Sequence, residues 1–290
     1  MEGKMRILVC CHKKDVMASQ LPYFPIHVGK VLSNTDLGIP GDNTGDNISE
    51  KNASYCELTG VYWAWKNFSD VDYIGLCHYR RYFDFHNLCH PQIPQKVFPV
   101  SEFPNLNLSV TDDVVSELQR GHVFVANPIV YSQSLYLRYC KRHNRDDFKA
   151  MEQIIRDGQP EKVVRAFYDT MICGNRLFPC NMFLMRWSDF DDYCSWLFPL
   201  LAQLEESIDI RNYDSYQRRI FGFMGERLLN VWLRANGKHT VCKPLIMLSD
   251  DASAMKETTS ATLILKNKFR SLANCFSKKK PYDKWLAEGV

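Results

Sequence analysis

The chain has 290 residues, 46% hydrophobic, 13% aromatic and 24% charged, with 36 basic against 33 acidic side chains and a net charge of +3. Apolar content at this level offsets the entropy of ordering and excludes disorder for most of the chain, which is long enough to bury roughly three quarters of its unfolded surface. The near-balance of charge argues against nucleic acid as a partner, and no run approaches the roughly 18 apolar residues of a membrane span.

Arg6–Cys11 (RILVCC) is a short apolar run of strand formers, the pattern of a strand buried on both faces of an α/β sheet. It runs into His12-Lys13-Lys14, which is not the flank of a signal peptide. Pro22, Pro25, Gly29, Gly38, Pro40, Gly41 and Gly45 then punctuate an irregular stretch. From Ser49 or Asn52 a helix is predicted to about Asn67, with Tyr55, Leu58, Tyr62 and Trp65 at helical spacing. Asp72–Cys77 (DYIGLC) reads as a second buried strand that stops at His78-Tyr79-Arg80-Arg81-Tyr82-Phe83. The Pro-rich segment 87–108 reads as a surface loop or flap.

A helix over Thr111–Gln119 and a strand over His122–Ala126 follow, the strand closed by Asn127-Pro128. Helices are predicted over Leu135–Cys140, Asp146–Asp157 and Glu161–Met171, then a strand over Asn181–Met185. Ser188-Asp189 starts a helix through Phe190–Ser207, Tyr216–Arg234 is another, and Val241–Leu248 supplies a last strand. Strands alternating with helices define an α/β domain with a mainly parallel sheet over residues 1–250.

Composition changes after Asp250, setting residues 251–290 apart as a tail. Leu265, Phe269, Leu272 and Phe276 recur at spacings of four, three and four, with Lys266, Lys268, Arg270 and Lys278-Lys279-Lys280 beside them. Segment 263–280 is thus a basic amphipathic helix. It fits an anionic membrane surface, and it fits equally a helix docked on the domain with its charged face in water. The eleven cysteines are odd in number, widely scattered and without a C-x-x-C pair. That usage reads as a reduced, cytoplasmic protein with cysteines as small core residues.

In open α/β sheets ligands bind beyond the carboxyl ends of the strands, which points to His12 after the first strand and to His78, Arg80 and Arg81 after the second. Arginine forks match phosphate oxygens, so the arginine pair is a candidate diphosphate clamp; the alternative is a pair bridging carboxylates of a neighbouring loop. G-x-G-x-x-G, G-x-x-x-x-G-K-[ST], G-x-S-x-G and H-E-x-x-H are all absent, which removes dinucleotide, P-loop, serine-hydrolase and zincin readings. Asp70-Val71-Asp72 precedes its strand and Asp189-Phe190-Asp191-Asp192 opens a helix, so neither makes a convincing metal site. Gly222 and Gly225 inside an otherwise strong helix imply close approach of a ligand or another backbone, and Glu226 beside them is a candidate general base. A plain salt bridge between Glu226 and an arginine is the alternative, while Glu57 and Asn181 stand out as polar residues in apolar company.

Asp46-Asn47-Ile48-Ser49 with Asn52, Glu57-Leu58-Thr59-Gly60-Val61-Tyr62-Trp63-Ala64-Trp65-Lys66-Asn67, and Tyr73-Ile74-Gly75-Leu76-Cys77 running into the His78–Phe83 motif resemble a bacterial glycosyltransferase family. Asn181-Met182-Phe183 and Arg219-Ile220-Phe221-Gly222 through Glu226-Arg227-Leu228 resemble its two later motifs, in the same order over roughly residues 5–250. The family, long labelled a domain of unknown function, occurs in capsular and O-antigen polysaccharide gene clusters and includes galactofuranosyltransferases.

The resemblance implies a GT-A-like, Rossmann-type fold with a donor half over about 1–130 and an acceptor half over about 131–250. It implies transfer of a sugar from a nucleotide-sugar donor, UDP-linked and with galactofuranose among the options, to a lipid-linked or oligosaccharide acceptor, with inversion as the family expectation. Most GT-A enzymes hold Mn²⁺ or Mg²⁺ with an Asp-x-Asp; here His78-Tyr79-Arg80-Arg81 stands in that position, so arginines are expected to replace the cation and no metal is expected. Glu226 is the first candidate base and Asp214 the second. His12, Asp46, Asn47, His78, Arg80, Arg81 and Asn181 are expected at the donor, Glu57 and Arg227 on the acceptor side, and Tyr79 and Tyr82 as stacking rings. The expected location is the cytoplasm, peripheral on the inner face of the membrane. A non-catalytic nucleotide-sugar or glycan-binding partner in polysaccharide assembly is the competing reading.

Overall fold

The computed structural model describes residues 4–251, 260–277 and 279–290. Eleven strands are formed among these residues: β1 (Met5–Cys11), β2 (Tyr23–His27), β3 (Tyr73–His78), β4 (Arg81–Phe83), β5 (Gln95–Phe98), β6 (Val123–Ala126), β7 (Ile129–Val130), β8 (Arg176–Leu177), β9 (Phe183–Arg186), β10 (Thr240–Lys243) and β11 (Leu245–Leu248). In the central sheet β1 pairs in parallel with β2 and β3, β6 in parallel with β10, and β9 runs antiparallel between β3 and β6. β4, antiparallel to β11, continues the sheet from the His78–Arg81 pair at the carboxyl end of β3, and β11 lies parallel to β5. β7 and β8 form a separate antiparallel ribbon.

The helices are α1 (Asn52–Tyr55), α2 (Leu58–Asn67), α3 (Asp112–Gln119), α4 (Leu135–Cys140), α5 (Arg145–Gly158), α6 (Glu161–Phe167), α7 (Trp187–Ser207), α8 (Ile220–Ala235), α9 (Ser260–Phe276) and α10 (Tyr282–Glu288). Alternate residues of the inner strands feed two cores on opposite faces of the sheet. Leu8, Ile74, Val125 and Phe183 pack with α2 and α4–α8 on one face, and Ile7, Val9, Phe124 and Leu184 pack with β4, β11 and α3 on the other. That double burial is why these strands read as continuous apolar runs. The α/β, GT-A-like architecture agrees with the sequence reading.

Four local features differ from it. Tyr23–His27, read as irregular, is β2; Pro25 lacks an N–H, but among the described residues the far side of β2 is bridged only at His27, to Gly41, so the missing donor falls on an open strand edge. The helix predicted from Ser49 to Asn67 is broken at Cys56, whose φ of 53° is left-handed, so Glu57 opens α2 instead of lying inside one helix. Segment 87–108 carries β5, which hydrogen-bonds to β11, and is therefore part of the sheet. Pro244 splits the last predicted strand into β10 and β11, which pair with different neighbours. The close approach read from the glycines of α8 is present, as packing of helix on helix: a methyl group at Gly222 would meet Cys56 Sγ at 3.0 Å, and one at Gly225 would meet Leu58 Cδ1 at 2.7 Å.

The tail helices sit against the β7–β8 ribbon, α5 and the segment that follows α6. Trp285 of α10 is fully buried against Phe167 and Tyr168 and donates its indole N–H to Glu152. Five of the cysteines, Cys10, Cys11, Cys77, Cys89 and Cys194, are buried core residues as read from the sequence, and Cys10, Cys56 and Cys180 line a cavity. Lys278 of the tail motif lies outside the described residues.

Candidate functional site

The carboxyl ends of β1, β2 and β3, the break before α2, the loop before β9 and the start of α8 enclose a cavity of about 1080 Å³. Cys10, His12, Val28, Asn52, Arg138, Arg142, His143 and Tyr216 line it. Arg80 and Arg81 line it too, with Glu57 and Glu226 also in the wall. With Arg218, Arg219 and Arg227, seven arginines face two carboxylates.

The arginines are not equivalent. Arg80 forms an ion pair with Asp15 at 2.9 Å, so for Arg80 the carboxylate-bridging alternative holds, and Arg227 is tied to the Phe223 carbonyl at 2.7 Å and to Glu226 at 3.3 Å. Arg219 donates from Nε to Cys56 Sγ at 3.3 Å. The guanidiniums of Arg81 and Arg142 have no hydrogen-bond or ion-pair partner among the described residues. An uncompensated guanidinium in a partly buried wall is a ready anion site.

The two carboxylates and His78 converge on one dipeptide. The Cys180 N–H donates to Glu226 Oε1 at 2.6 Å, and the Cys180 carbonyl accepts from His78 Nε2 at 2.9 Å. Asn181 Nδ2 donates to Glu57 Oε1 at 2.7 Å and to the Gly222 carbonyl at 3.3 Å. Both residues are left-handed, with φ of 70° and 53°. Cys56, Cys180 and Asn181 are thus three of the four non-glycine residues with positive φ among the described residues, and all three stand in this wall. Such backbone costs roughly 1–3 kcal/mol per residue and persists only where the surroundings enforce it, a pattern concentrated at functional sites.

Burial sets the protonation states. Desolvation raises the Glu226 carboxyl above the usual range, with the adjacent Arg227 opposing it. Desolvation lowers His78, with Glu57 opposing, and lowers His143 to about 4. Desolvation also pushes Cys56 up to about 11 and Cys180 up to about 12, so neither thiol is a ready thiolate nucleophile. One acceptor is left over. Asn181, 2% exposed, has its Oδ1 buried without a partner. A buried acceptor of this kind costs about 1–3 kcal/mol unless a ligand donor meets it.

Of the residues picked from sequence, His12, Glu57, His78, Arg80, Arg81, Asn181, Glu226 and Arg227 are brought together in this wall. Three are not. Asp46 accepts from Tyr62 Oη at 3.1 Å, Asn47 accepts from the Ser49 N–H at 3.2 Å, and Asp214 accepts from the Gln217 N–H at 2.7 Å; these side chains brace the turns ahead of α1 and α8, outside the cavity. Tyr79 lines the cavity edge-on to His12 at 5.4 Å, whereas Tyr82 is fully buried and bonded to Ala18 and Tyr79. The sequence reading missed Arg138, Arg142, Arg218, Arg219 and Cys56. Arg218 and Arg219 were visible beside the glycine motif, but nothing in the spacing of Arg138 and Arg142 marks them as cavity residues. Among the described residues no three His, Cys, Asp or Glu side chains gather around one point.

The fold and the cavity define a GT-A-like α/β domain with an arginine-rich cleft at its strand ends. The chain belongs to the family described as Domain of unknown function (DUF4422), whose profile matches residues 6–237. Among solved structures it is similar to the apo WbbM bifunctional glycosyltransferase, at 28% sequence identity and a TM-score of 0.77 over 85% of this chain. The chain spans 46% of the length of that protein. No curated protein matches it.

Proposed function

We propose that this protein is a glycosyltransferase that moves a sugar from a nucleotide diphosphate donor to a glycan acceptor. The observation that carries the reading is the cavity wall itself: unpaired guanidiniums beside two carboxylates held in fixed positions at the strand ends. The likeness to the WbbM bifunctional glycosyltransferase supports it.

In this reading the nucleoside lies toward His12 and Asn52, and the diphosphate meets Arg81, with Arg80 beside it. As the anomeric carbon–oxygen bond breaks, negative charge grows on the leaving diphosphate, and a preorganised guanidinium stabilises it without reorganisation. Glu226 takes the proton of the attacking hydroxyl. Its raised pKa brings it nearer to the working pH, which is where a general base is most effective. Glu57 and the free Oδ1 of Asn181 receive hydroxyl groups of the sugar. Arginines thus do the charge neutralisation that a divalent cation does in most GT-A enzymes. The donor is UDP-linked, with galactofuranose among the candidates. The acceptor is a lipid-linked or oligosaccharide chain of a bacterial surface polysaccharide, transfer is inverting, and the reaction takes place at the inner face of the cytoplasmic membrane.

The test is release of free nucleoside diphosphate from a panel of nucleotide sugars, with and without chelator. Turnover of one donor, undiminished by chelator and reduced about 10²- to 10⁴-fold in Glu226→Gln with nucleotide affinity retained, is the expected result. Nucleotide binding without turnover of any donor would favour the non-catalytic assembly partner. Loss of activity on chelation with recovery on added Mn²⁺ would remove the arginine mechanism.

A further inference from the structure

The amphipathic helix α9 is docked the wrong way round for a water-soluble domain. Its polar side faces the protein: Asn274 Nδ2 donates to the Cys173 carbonyl at 2.9 Å, and Arg270 Nη1 donates to the Val130 carbonyl at 3.2 Å. Asn274 is 6% exposed. Its apolar side faces outward, with Leu265 57%, Phe269 64%, Leu272 54% and Phe276 86% exposed. The helix is docked on the domain with Lys266 and Lys268 in water, but its apolar stripe is left in solvent as well, whereas the ordinary arrangement would bury these four side chains and leave Asn267, Arg270 and Asn274 outside.

The orientation is held from both sides. After α9 the chain turns into α10, which is fixed by buried Trp285, by a hydrogen bond from Tyr168 Oη to the Lys280 carbonyl at 2.8 Å and by the Val290 N–H on Glu152 at 3.0 Å. Rolling α9 over would break the Arg270 and Asn274 bonds while this anchor stays in place. At about 100° per residue, Lys266 and Lys268 fall on opposite flanks of the Leu265–Phe269–Leu272–Phe276 stripe. Both are exposed and without an ion-pair partner among the described residues. An apolar stripe between two lysine flanks matches the boundary of an anionic bilayer: rings and leucines enter the acyl region while ammonium groups meet headgroup phosphates.

We infer that α9 is an in-plane membrane-docking helix and that its occupant is an anionic lipid surface. The position has a consequence for the cavity. Strand neighbours point to opposite faces, and in the β7–β8 ribbon Ile129 and Leu177 line the cavity, whereas Val130 and Arg176 line the groove beneath α9. A single two-stranded wall therefore separates the cavity from the membrane-facing helix, which sets the cavity flank beside the lipid surface.

The experiment uses the full chain in co-sedimentation with extruded vesicles of phosphatidylcholine alone and of phosphatidylcholine with phosphatidylglycerol. Preferential pelleting with the anionic vesicles, weakened by salt, is expected. Phe269→Ser with Phe276→Ser should lower the partition coefficient at least about tenfold, and Lys266→Gln with Lys268→Gln should lower it roughly fivefold per lysine on anionic vesicles only. Circular dichroism and melting temperature confirm that each variant is folded, since all four residues are exposed. Absence of pelleting with either vesicle by the folded parent chain overturns the inference. So does a concentration-dependent dimer in sedimentation velocity that the phenylalanine variant abolishes without any vesicle binding by the parent, because the stripe would then be covered by a second copy. None of these readouts depends on turnover, so failure here and failure of the transferase reading are separable.

Discussion

Asn181 offers the sharpest test of how the site is held. Its amide nitrogen faces two acceptors, Glu57 Oε1 at 2.7 Å and the Gly222 carbonyl at 3.3 Å, so its orientation is fixed by partners that cannot donate. Asn181→Ala removes these bonds and places an ordinary side chain at a φ of 53°. A buried hydrogen bond to a charged group contributes about 1.5–3 kcal/mol, and left-handed backbone costs alanine about 1–2 kcal/mol. The expected loss is therefore about 3–4 kcal/mol and nearly independent of pH. Asn181→Asp keeps shape and left-handed tolerance but turns the donor into a second carboxylate against Glu57. Like-charge repulsion raises the folded-state pKa of that pair above its unfolded value. Stability associated with the pair is then fully present below the unfolded pKa and is lost as pH rises through the folded one. The aspartate variant should be the less stable of the two at pH 7.5 and should recover, by up to about 1.4 kcal/mol per pH unit, as pH falls toward 5. Urea midpoints at pH 7.5, 6.5 and 5.5, read at constant m-value, measure this directly. If the two variants lose the same stability at every pH, Asn181 does not face Glu57 and the proposed arrangement of the two carboxylates is wrong.

Glu226, raised by burial, should give turnover an acidic limb above the ordinary carboxylate range of about 4.3, activity falling as pH drops through it, and Glu226→Gln should erase that limb along with most of the rate. Arg81→Ala should cost about 10²- to 10³-fold in turnover with little change in melting temperature. Arg81→Lys should recover only part of it, a point charge being a poor substitute for a planar fork, and Arg80→Ala should cost less because Asp15 already occupies that guanidinium; equal losses at the two positions would refute this division. Trp285→Ala removes a fully buried indole worth about 3–5 kcal/mol of packing, and since that packing ties α10 to the domain, the expected outcome is rapid tryptic cleavage near Lys279 and Lys284 with the domain's own melting transition retained.

Where burial was double-sided, as at Ile7–Cys11 or Val123–Ala126, continuous apolar runs were legible as strands because both faces of the sheet are covered. Where one residue overrode the pattern, periodicity gave no warning. Pro25 hides an edge strand, Pro244 divides a run between two partners, and Cys56 interrupts a helix that propensity would continue. The carboxylates Glu57 and Glu226 were visible as polar residues in apolar company, but the device that aligns them was not. It depends on two consecutive left-handed residues, Cys180 and Asn181, and only the asparagine has a side chain that favours that conformation. Arg138 and Arg142 reach the cavity through the packing of α4 against α5 and the segment after α6, a tertiary fact with no local sign. The stripe on α9 was legible as a pattern, yet its direction was decided by Arg270 and Asn274, whose hydrogen bonds turn the polar side inward.

The distribution of charge bears on how a dianionic donor would find this site. The cavity gathers seven arginines against two glutamates, five positive charges in excess, whereas the whole chain carries +3; everything outside the cavity is therefore net negative by about two. The positive excess is thus concentrated at one opening, where low-dielectric walls concentrate the field. Arg227 is neutralised by Glu226 and Arg80 by Asp15, which leaves Arg81, Arg138, Arg142, Arg218 and Arg219 against Glu57 to supply the attraction that a ligand feels on arrival. Association should consequently weaken with ionic strength more steeply than a net charge of +3 implies, and that salt dependence should shrink in Arg142→Gln as well as in Arg81→Ala, since both guanidiniums face the cavity without a partner.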